Sequence, residues 1–351
     1  MTYLAKPKLH HPTLPINARG FTRRDYEGAN STLCAGCGHD SISAAIIHAC
    51  WELAIEPHRV AKVSGIGCSA KTPDYFLGPS HGFNTVHGRM PSALTGANLA
   101  NRDLLYLGVS GDGDSASIGM GQFVHVMRRS VNMVYIVENN GVYGLTKGQF
   151  SATADDGAVS KKGLRNTETP LDLVGLAMQL GASFVGRGFS GDKHQLIPLI
   201  KAAIVHKGMS FIEVISPCVS FNNQDRNTQS YEYVRAHNDA VNQLDFIAPR
   251  QPITVSYAPG EAADVELHDG SMLRLHKIEA DFDPTDRVAA MSYVHAHQAK
   301  GEIVTGLLYV DPNAHDLHEH LNTVAVPLNT LGAKELCPGQ AVLDKINALF
   351  R

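Results

Sequence analysis

The run GDGDSASIGMGQFVHVMRRSVNMVYIVENNGVYGLTKGQ, residues 111–149, decides how the rest of the chain reads. It joins a glycine turn to a helix-length segment, IGMGQFVHVMRRS, and then to an apolar strand, VNMVYIVENN, ending in two asparagines. In doubly wound sheets, ligands gather outside the carboxyl ends of the strands, where a glycine turn lets backbone N–H groups and a helix N-terminus approach phosphate. Gly111-Asp112-Gly113 forms such a turn after the strand DLLYLGVS. A dinucleotide fingerprint would carry its acid near the end of the next strand. Here the acid lies inside the turn, where a bare carboxylate would repel phosphate. A divalent cation removes the conflict. Asp112, a side-chain amide oxygen from the adjacent strand end and a backbone carbonyl are hard oxygen donors suited to near-octahedral Mg²⁺, with phosphate oxygens filling the remaining positions. Asn139 and Asn140 end that adjacent strand. Either half alone reads as an ordinary Asx turn; both at one strand-helix-strand separation predict a cofactor site.

Outward from this run, strands and helices keep alternating. Asp40 and Ser41 can cap a helix with apolar positions Ile42, Ala45, Ile46, Ala49 and Leu53, followed by the strand RVAKVSGIGC and the helix PSALTGANLA. Beyond residue 149 come LDLVGLAMQLGA, SFVGRG, DKHQLIPLIKAAIVHKG and MSFIEVISPC. This alternation predicts an α/β fold, a doubly wound parallel sheet covered on both faces. Residues 1–30, rich in Pro, Arg and Gly without periodicity, read as an N-terminal arm lying on another surface. Residues 31–225 form the binding domain. Residues 226–351 carry weaker signals, namely a polar stretch, short strand candidates and a helix over 341–350, and read as a C-terminal extension that wraps or reaches.

Composition narrows the function classes. With 44% hydrophobic and 18% charged residues over 351 positions, the chain can bury a substantial core. A formal net charge of −4 with scattered Lys and Arg offers no basic face, so nucleic acid is not expected as a partner. The N-terminus interrupts any apolar run with prolines and charges, and no segment reaches bilayer-spanning length, so the expectation is a cytoplasmic protein without a membrane partner.

Six cysteines in such a chain read as thiols, metal ligands or catalytic groups rather than a disulfide framework. Cys34 and Cys37 form C-x₂-C before the first helix, while Cys68 and Cys218 each follow a strand. In a doubly wound sheet the last two share the edge of the GDG loop, so four thiolates can converge there. Spacing alone does not choose between structural Zn²⁺ and an iron-sulfur cluster. One local pair plus two distant single cysteines beside a catalytic edge is the more natural pattern for a redox cluster. Taken singly, Cys68 and Cys218 could be small buried hydrophobes; Cys50 reads as core and Cys337 as structural.

GDG followed by NN resembles the thiamine diphosphate motif. The stretches CAGCGHDSI, GIGCSAKTPDYF, HGRMPSALTGANLAN, GDGD, ENNGVYGLTKGQFSAT and SPCVSFN together resemble the beta subunit of the two-subunit 2-oxoacid:ferredoxin oxidoreductases over about residues 30–225. One departure is Leu33 and Ala35, where the family often has Trp and Pro; it touches loop packing and not the ligands. The resemblance implies a sheet of the thiamine diphosphate pyrophosphate-domain type. It implies that Asp112, Asn140 and the Val142 carbonyl hold Mg²⁺, that Gly111, Gly113, Asp114, Gly144 and Leu145 line the cofactor, and that Cys34, Cys37, Cys68 and Cys218 hold a [4Fe-4S] cluster. It further implies oxidative decarboxylation of a 2-oxoacid, with coenzyme A taking the acyl group and ferredoxin the electrons. The glutamate that activates thiamine is missing from the single α/β unit, so an alpha subunit is expected to supply it in an alpha2beta2 assembly.

LTKGQF resembles the 2-oxoglutarate type, whereas pyruvate-acting relatives more often carry Gly at the Lys147 position. Lys71 and Lys147 lie in loops expected at the active edge, where a cation suits a second, distal carboxylate; a solvated loop lysine is the plainer reading of each. His87 and Arg89 are expected near cofactor or substrate. The alternatives are pyruvate or another 2-oxoacid as substrate, a non-redox thiamine diphosphate decarboxylase or carboligase, and a non-catalytic iron-sulfur electron carrier. The histidine runs HAH, residues 295–297, and HDLHEH, residues 315–320, read as polar surface despite plausible metal spacing.

Overall fold

The computed structural model of the chain describes residues 11, 13–160, 163–220, 253–267, 272–337 and 339–350. The polar stretch of the expected C-terminal extension lies mostly outside them. Strands β1 (Val60–Ser64), β2 (His81–Asn84), β3 (Leu105–Gly111), β4 (Met133–Asn139), β7 (Phe184–Phe189) and β8 (Met209–Ile215) pair in the order β2-β1-β3-β4-β8-β7, all parallel. A two-stranded hairpin, β5 (Val142–Tyr143) with β6 (Gln149–Phe150), projects from the end of β4. Strands β3, β4, β7 and β8 are buried along nearly their whole length, as their largely apolar sequences require in a sheet covered on both faces.

Helices divide between the two faces. The α1 helix (Gly38–Glu52) and α5 (Lys193–Val205) cover one core, built on Ile42, Ile46, Val109, Ile136 and Ile200. On the other side, α2 (Met90–Ala100), α3 (Met120–Arg129) and α4 (Leu173–Gln179) close over Leu94, Phe123, Tyr135 and Phe211. Phe123 and Phe211 meet edge to face at 5.2 Å. Gly108 on β3 lets α2 approach, since a Cβ there would stand 2.7 Å from Met90 Sδ. Asp172 caps α4 by accepting from the Gly175 N–H, and Asp192 caps α5 through Gln195.

The C-terminal region differs from its expected role as an appendage. Strands β9 (Ala262–Glu266), β10 (Met272–Lys277) and β11 (Ile303–Val310) continue the same sheet to nine strands in the order β7-β11-β10-β9. The added part is mixed: β11 runs antiparallel to β7, β10 parallel to β11 and β9 antiparallel to β10. The physical reason is that β7 would otherwise present an unpaired edge, and IVTGLLYV in β11 is apolar enough to be buried there. The helix Gln340–Ala348 forms where the sequence predicts one. In the arm, Asn17 Nδ2 donates to the Trp51 carbonyl and to Tyr26 Oη, and buried Tyr26 donates to the Ile55 carbonyl, tying the segment to the end of α1. Among the described residues, no helix is long and apolar enough to cross a membrane.

Two histidines expected on a polar surface turn inward. His318 is buried, its ring nitrogens meeting the Asn98 carbonyl and Thr323 Oγ1. His297 pairs with Glu302 and stacks on His276 at 4.1 Å. Imidazole is readily buried where both nitrogens find partners, which the local sequence does not reveal.

Candidate cofactor cleft

The carboxyl ends of β1, β3 and β4 border one cleft. Its lining includes Cys68, His87, Gly111–Asp114 by number, Glu138, Asn140 and the 142–146 turn. The chain therefore brings Gly111, Asp112, Gly113, Asp114, Asn140, Val142, Gly144, Leu145, His87 and Cys68 to one place. Arg89 does not line it. It is exposed at the start of α2, with only its own loop's Gly88 carbonyl as a partner at 3.4 Å.

Asp112 is 1% exposed. Its Oδ2 accepts from Ser151 Oγ and from Thr153 Oγ1 at 2.9 Å, and Oδ1 faces the Asn140 N–H at 3.4 Å. Burial raises its pKa, and these hydrogen bonds oppose the rise. The backbone turns into a π-helical segment, Gly113–Ile118, directly after it. Gly113 has no room for a side chain, because a Cβ would stand 2.6 Å from the Tyr143 ring, whose hydroxyl donates to the Gly113 carbonyl at 3.0 Å. Gly111 is equally confined, 2.8 Å from Ser69 Oγ. Such bare backbone lets an anion approach the N–H groups. Asp114 serves as a brace: its carboxylate accepts from His87 Nδ1, Ser110 Oγ, the Gly88 N–H at 2.7 Å and the Ile66 N–H at 3.2 Å. It thereby clamps the loops after β1 and β2 onto the GDG turn.

Asn140 Oδ1 accepts from the Val142 N–H at 3.1 Å, and Asn139 Oδ1 from the Gly141 N–H at 3.1 Å, with Gly141 at φ +73°. These Asx turns fold the strand end back towards Asp112. A carboxylate, an amide oxygen and the Val142 carbonyl then border the same cleft, a hard-oxygen set that fits Mg²⁺.

The four cysteines also converge. The Cys68 thiol is raised first by burial and then by the charge of Cys218, with Lys71 opposing and Cys34 adding to the rise. Burial pushes the Cys37 thiol up as well, and Glu138 and Cys218 reinforce the effect. Ser220 Oγ donates to Cys34 Sγ at 3.2 Å. Among the described residues, the group of three or more ligand atoms lying within 4.8 Å of one another is His276, His297 and Glu302. The four sulfurs are thus more widely spread than tetrahedral ligands of one Zn²⁺ at about 2.3 Å. Cys50 is buried core and Cys337 is exposed.

Sequence reasoning missed several residues here. Glu138 and His39 line the cleft between the cysteines and Asp112. Glu138 is fully buried, and among the described residues neither carboxylate oxygen has a partner within ordinary hydrogen-bond distance, though the nearby Thr72 hydroxyl opposes the effect of burial on its pKa. Burial holds the Glu138 pKa well above the ordinary carboxylate range, and burial lowers His39 to about 4; His39 Nδ1 and Glu138 Oε2 lie 3.6 Å apart. Lys62 secures the turn after Cys68 by donating to the Pro73 and Phe76 carbonyls at 2.6 Å. The one available signal was an acid and a lysine inside apolar strands, VYIVENN and RVAKVSG.

The two lysines diverge. Lys71 is half-buried next to Cys68 and does not line the cleft. Lys147 is exposed at the tip of the β5–β6 hairpin at φ +80°, in the left-handed region, while its neighbours Leu145 and Thr146 do line the cleft. A second cavity, about 610 Å³, adjoins Asn140 and Val142 from the other side and reaches Arg187 and Arg274.

Residues 65–214 match the family model for the thiamine pyrophosphate enzyme C-terminal TPP binding domain. The chain is 41% identical over 221 residues to the 2-oxoacid:ferredoxin oxidoreductase subunit beta of a Sulfolobus species, covering 63% of this chain and 70% of that one. It is 39% identical over 190 residues to the 2-oxoglutarate oxidoreductase subunit KorB of Mycobacterium tuberculosis, covering 54% of this chain and 50% of that one. It is 32% identical over 250 residues to the 2-oxoglutarate synthase subunit KorB of Methanocaldococcus jannaschii, covering 70% of this chain and 91% of that one. A solved 2-oxoglutarate:ferredoxin oxidoreductase from Magnetococcus marinus, with 2-oxoglutarate, coenzyme A and succinyl-CoA bound, superposes with a TM-score of 0.68 at 30% identity, covering 88% of this chain and 94% of that one.

Proposed function

The chain belongs to the beta subunits of the 2-oxoacid:ferredoxin oxidoreductases, and from that membership we propose that it carries thiamine diphosphate, Mg²⁺ and a [4Fe-4S] cluster for the oxidative decarboxylation of 2-oxoglutarate. Coenzyme A takes the product as succinyl-CoA, CO₂ leaves, and electrons pass to ferredoxin, with an alpha subunit completing an alpha2beta2 assembly. The observation that carries this reading is that Cys68 lines the same cleft as Asp112, Asn140 and Val142. When bound, thiamine diphosphate supplies the decarboxylation chemistry and the cluster accepts the electrons one at a time.

The chain's own residues have separate tasks. Asp112, the Asn140 amide oxygen and the Val142 carbonyl would hold Mg²⁺, and the backbone of Gly111 and Gly113, which border the same cleft, would receive the diphosphate. Asp114, accepting also from two backbone N–H groups, holds the Nδ1 side of the His87 ring and so fixes the direction of its other nitrogen. Tyr143 covers the glycine turn and keeps water from it.

For the substrate, Lys147 supports a dicarboxylic acid. A non-glycine residue at φ +80° costs about 1–3 kcal/mol and persists where the surroundings or function demand it. A cation on the cleft's own hairpin meets that demand by pairing with a distal carboxylate. Copurification with the alpha subunit, followed by coenzyme A-dependent viologen reduction with 2-oxoglutarate and pyruvate separately, tests the assignment. Preferential turnover of 2-oxoglutarate is expected; faster turnover of pyruvate overturns it.

A further inference from the structure

A buried charge relay runs behind the Asn139–Val142 turn. Arg187 on β7 and Glu213 on β8 are directly paired in register, 5% and 2% exposed. Arg187 donates from Nε to Glu213 Oε2 and from an Nη to Asp172 Oδ1, both at 2.6 Å, and Asp172 uses its other oxygen to cap α4. Glu213 Oε1 accepts from Asn139 Nδ2 at 2.8 Å. Asn139 Oδ1 in turn accepts from the Gly141 N–H and lies 2.9 Å from Thr153 Oγ1, whose single proton is shared between it and Asp112 Oδ2, also 2.9 Å away.

Stability does not account for this chain of polar groups. Buried ion pairs are commonly no better than apolar residues of similar volume, because desolvation offsets the attraction. What an apolar pair cannot supply is polarity. A carboxylate only accepts, so Glu213 compels the Asn139 amide nitrogen to face it and the amide oxygen to face Gly141 and Thr153. A reversed amide would set oxygen against carboxylate and N–H against N–H.

We propose that Asp172, Arg187 and Glu213 are positioning residues for the magnesium-diphosphate site: they fix the orientation of the Asn139 amide and, through it, the turn carrying Asn140 and Val142 and the hydroxyl beside Asp112. This rests on the cofactor reading above. Partners behind metal ligands typically set metal affinity by 10- to 100-fold. Glu213→Gln is the sharpest probe. Arg187 draws the glutamine oxygen, which turns the glutamine NH₂ onto Asn139 and reverses its polarity.

The test is titration of the alpha-beta complex, stripped of thiamine diphosphate and Mg²⁺, with both ligands by calorimetry. Glu213→Gln and the charge-free pair Arg187→Met/Glu213→Leu are expected to raise the half-saturating Mg²⁺ concentration about 10- to 100-fold with iron content unchanged; Glu213→Gln also lowers the cofactor-free melting temperature by leaving buried Arg187 short of a carboxylate, whereas the charge-free pair keeps it. Asn139→Asp alone should also weaken binding, by setting two carboxylates face to face. Combined with Glu213→Gln it should recover most of the loss, because donor and acceptor have exchanged places. Wild-type saturation in Glu213→Gln, or no recovery in the double variant, overturns the proposal. Failure of the wild-type complex to bind thiamine diphosphate overturns the cofactor reading itself.

Discussion

The two walls of the cleft are finished to different degrees. On the magnesium wall the buried acids are satisfied by the chain: Asp112 takes two hydroxyls, and Asp114 takes two backbone N–H groups, a hydroxyl and an imidazole. On the sulfur wall they are not, since among the described residues Glu138 has no partner within ordinary hydrogen-bond distance, and burial pushes the Cys37 and Cys68 thiols up, with Cys218 adding to both. An unpartnered buried polar group costs about 1–3 kcal/mol. The difference teaches that the wall around Asp112 is preorganised by folding, whereas the wall around Cys68 and Glu138 leaves buried polar groups open to a further partner.

The largest effect should come from breaking the incomplete wall. Cys68→Ser is expected to abolish iron retention and coenzyme A-dependent viologen reduction while leaving thiamine diphosphate binding measurable. Iron analysis and calorimetry on the same preparation check both halves. Next is Asp112→Ala on the preorganised wall, which removes an ionic contact worth about 1.5–3 kcal/mol and should weaken Mg²⁺-dependent cofactor binding about 10- to 150-fold, with the cluster retained. Were both variants to lose both groups, the walls would not be independent. Lys147→Gly, on the hairpin between them, should raise KM for 2-oxoglutarate about tenfold and leave pyruvate kinetics unchanged. The same variant should not lower the melting temperature, because glycine relaxes the φ +80° backbone. The smallest effect is expected from Glu138→Leu. Removing the unpartnered carboxyl should stabilise the cofactor-free chain by about 1–3 kcal/mol in denaturant titration, and a loss of stability would show that Glu138 is satisfied after all.

How legible the site was followed chain distance. Asp112, Asn140 and Val142 sit within one strand-helix-strand unit, so their meeting is built into local geometry, and the glycines around them mark where backbone must come close. The brace was illegible. Arg187 and Glu213 are ordinary charged residues in apolar strands until β7 and β8 pair in register, and Asn139 reads as half of a motif rather than as the point where the charge is received. Strands β9 to β11 were recognisable only as short candidates, because a strand's sequence states which residues are apolar and not which edge it will join. His318 and His297 turned inward for a related reason: the Asn98 carbonyl that His318 meets lies far away in the chain, and His297 stacks on His276 of strand β10.

By itself, then, the sequence determined the alternating α/β architecture, the glycine turn with its acid, the answering asparagines and four thiols able to reach one edge. Each follows from periodicity or from conformational limits acting over a few residues. Tertiary structure alone decided that the C-terminal strands extend the sheet, that Lys71 stands with sulfur and Lys147 at a strained hairpin tip, and that Asp172, Arg187 and Glu213 orient Asn139. Those are outcomes of register and burial. A side chain's charge, polarity and reach acquire meaning only once distant backbone has excluded water and set a particular partner opposite it.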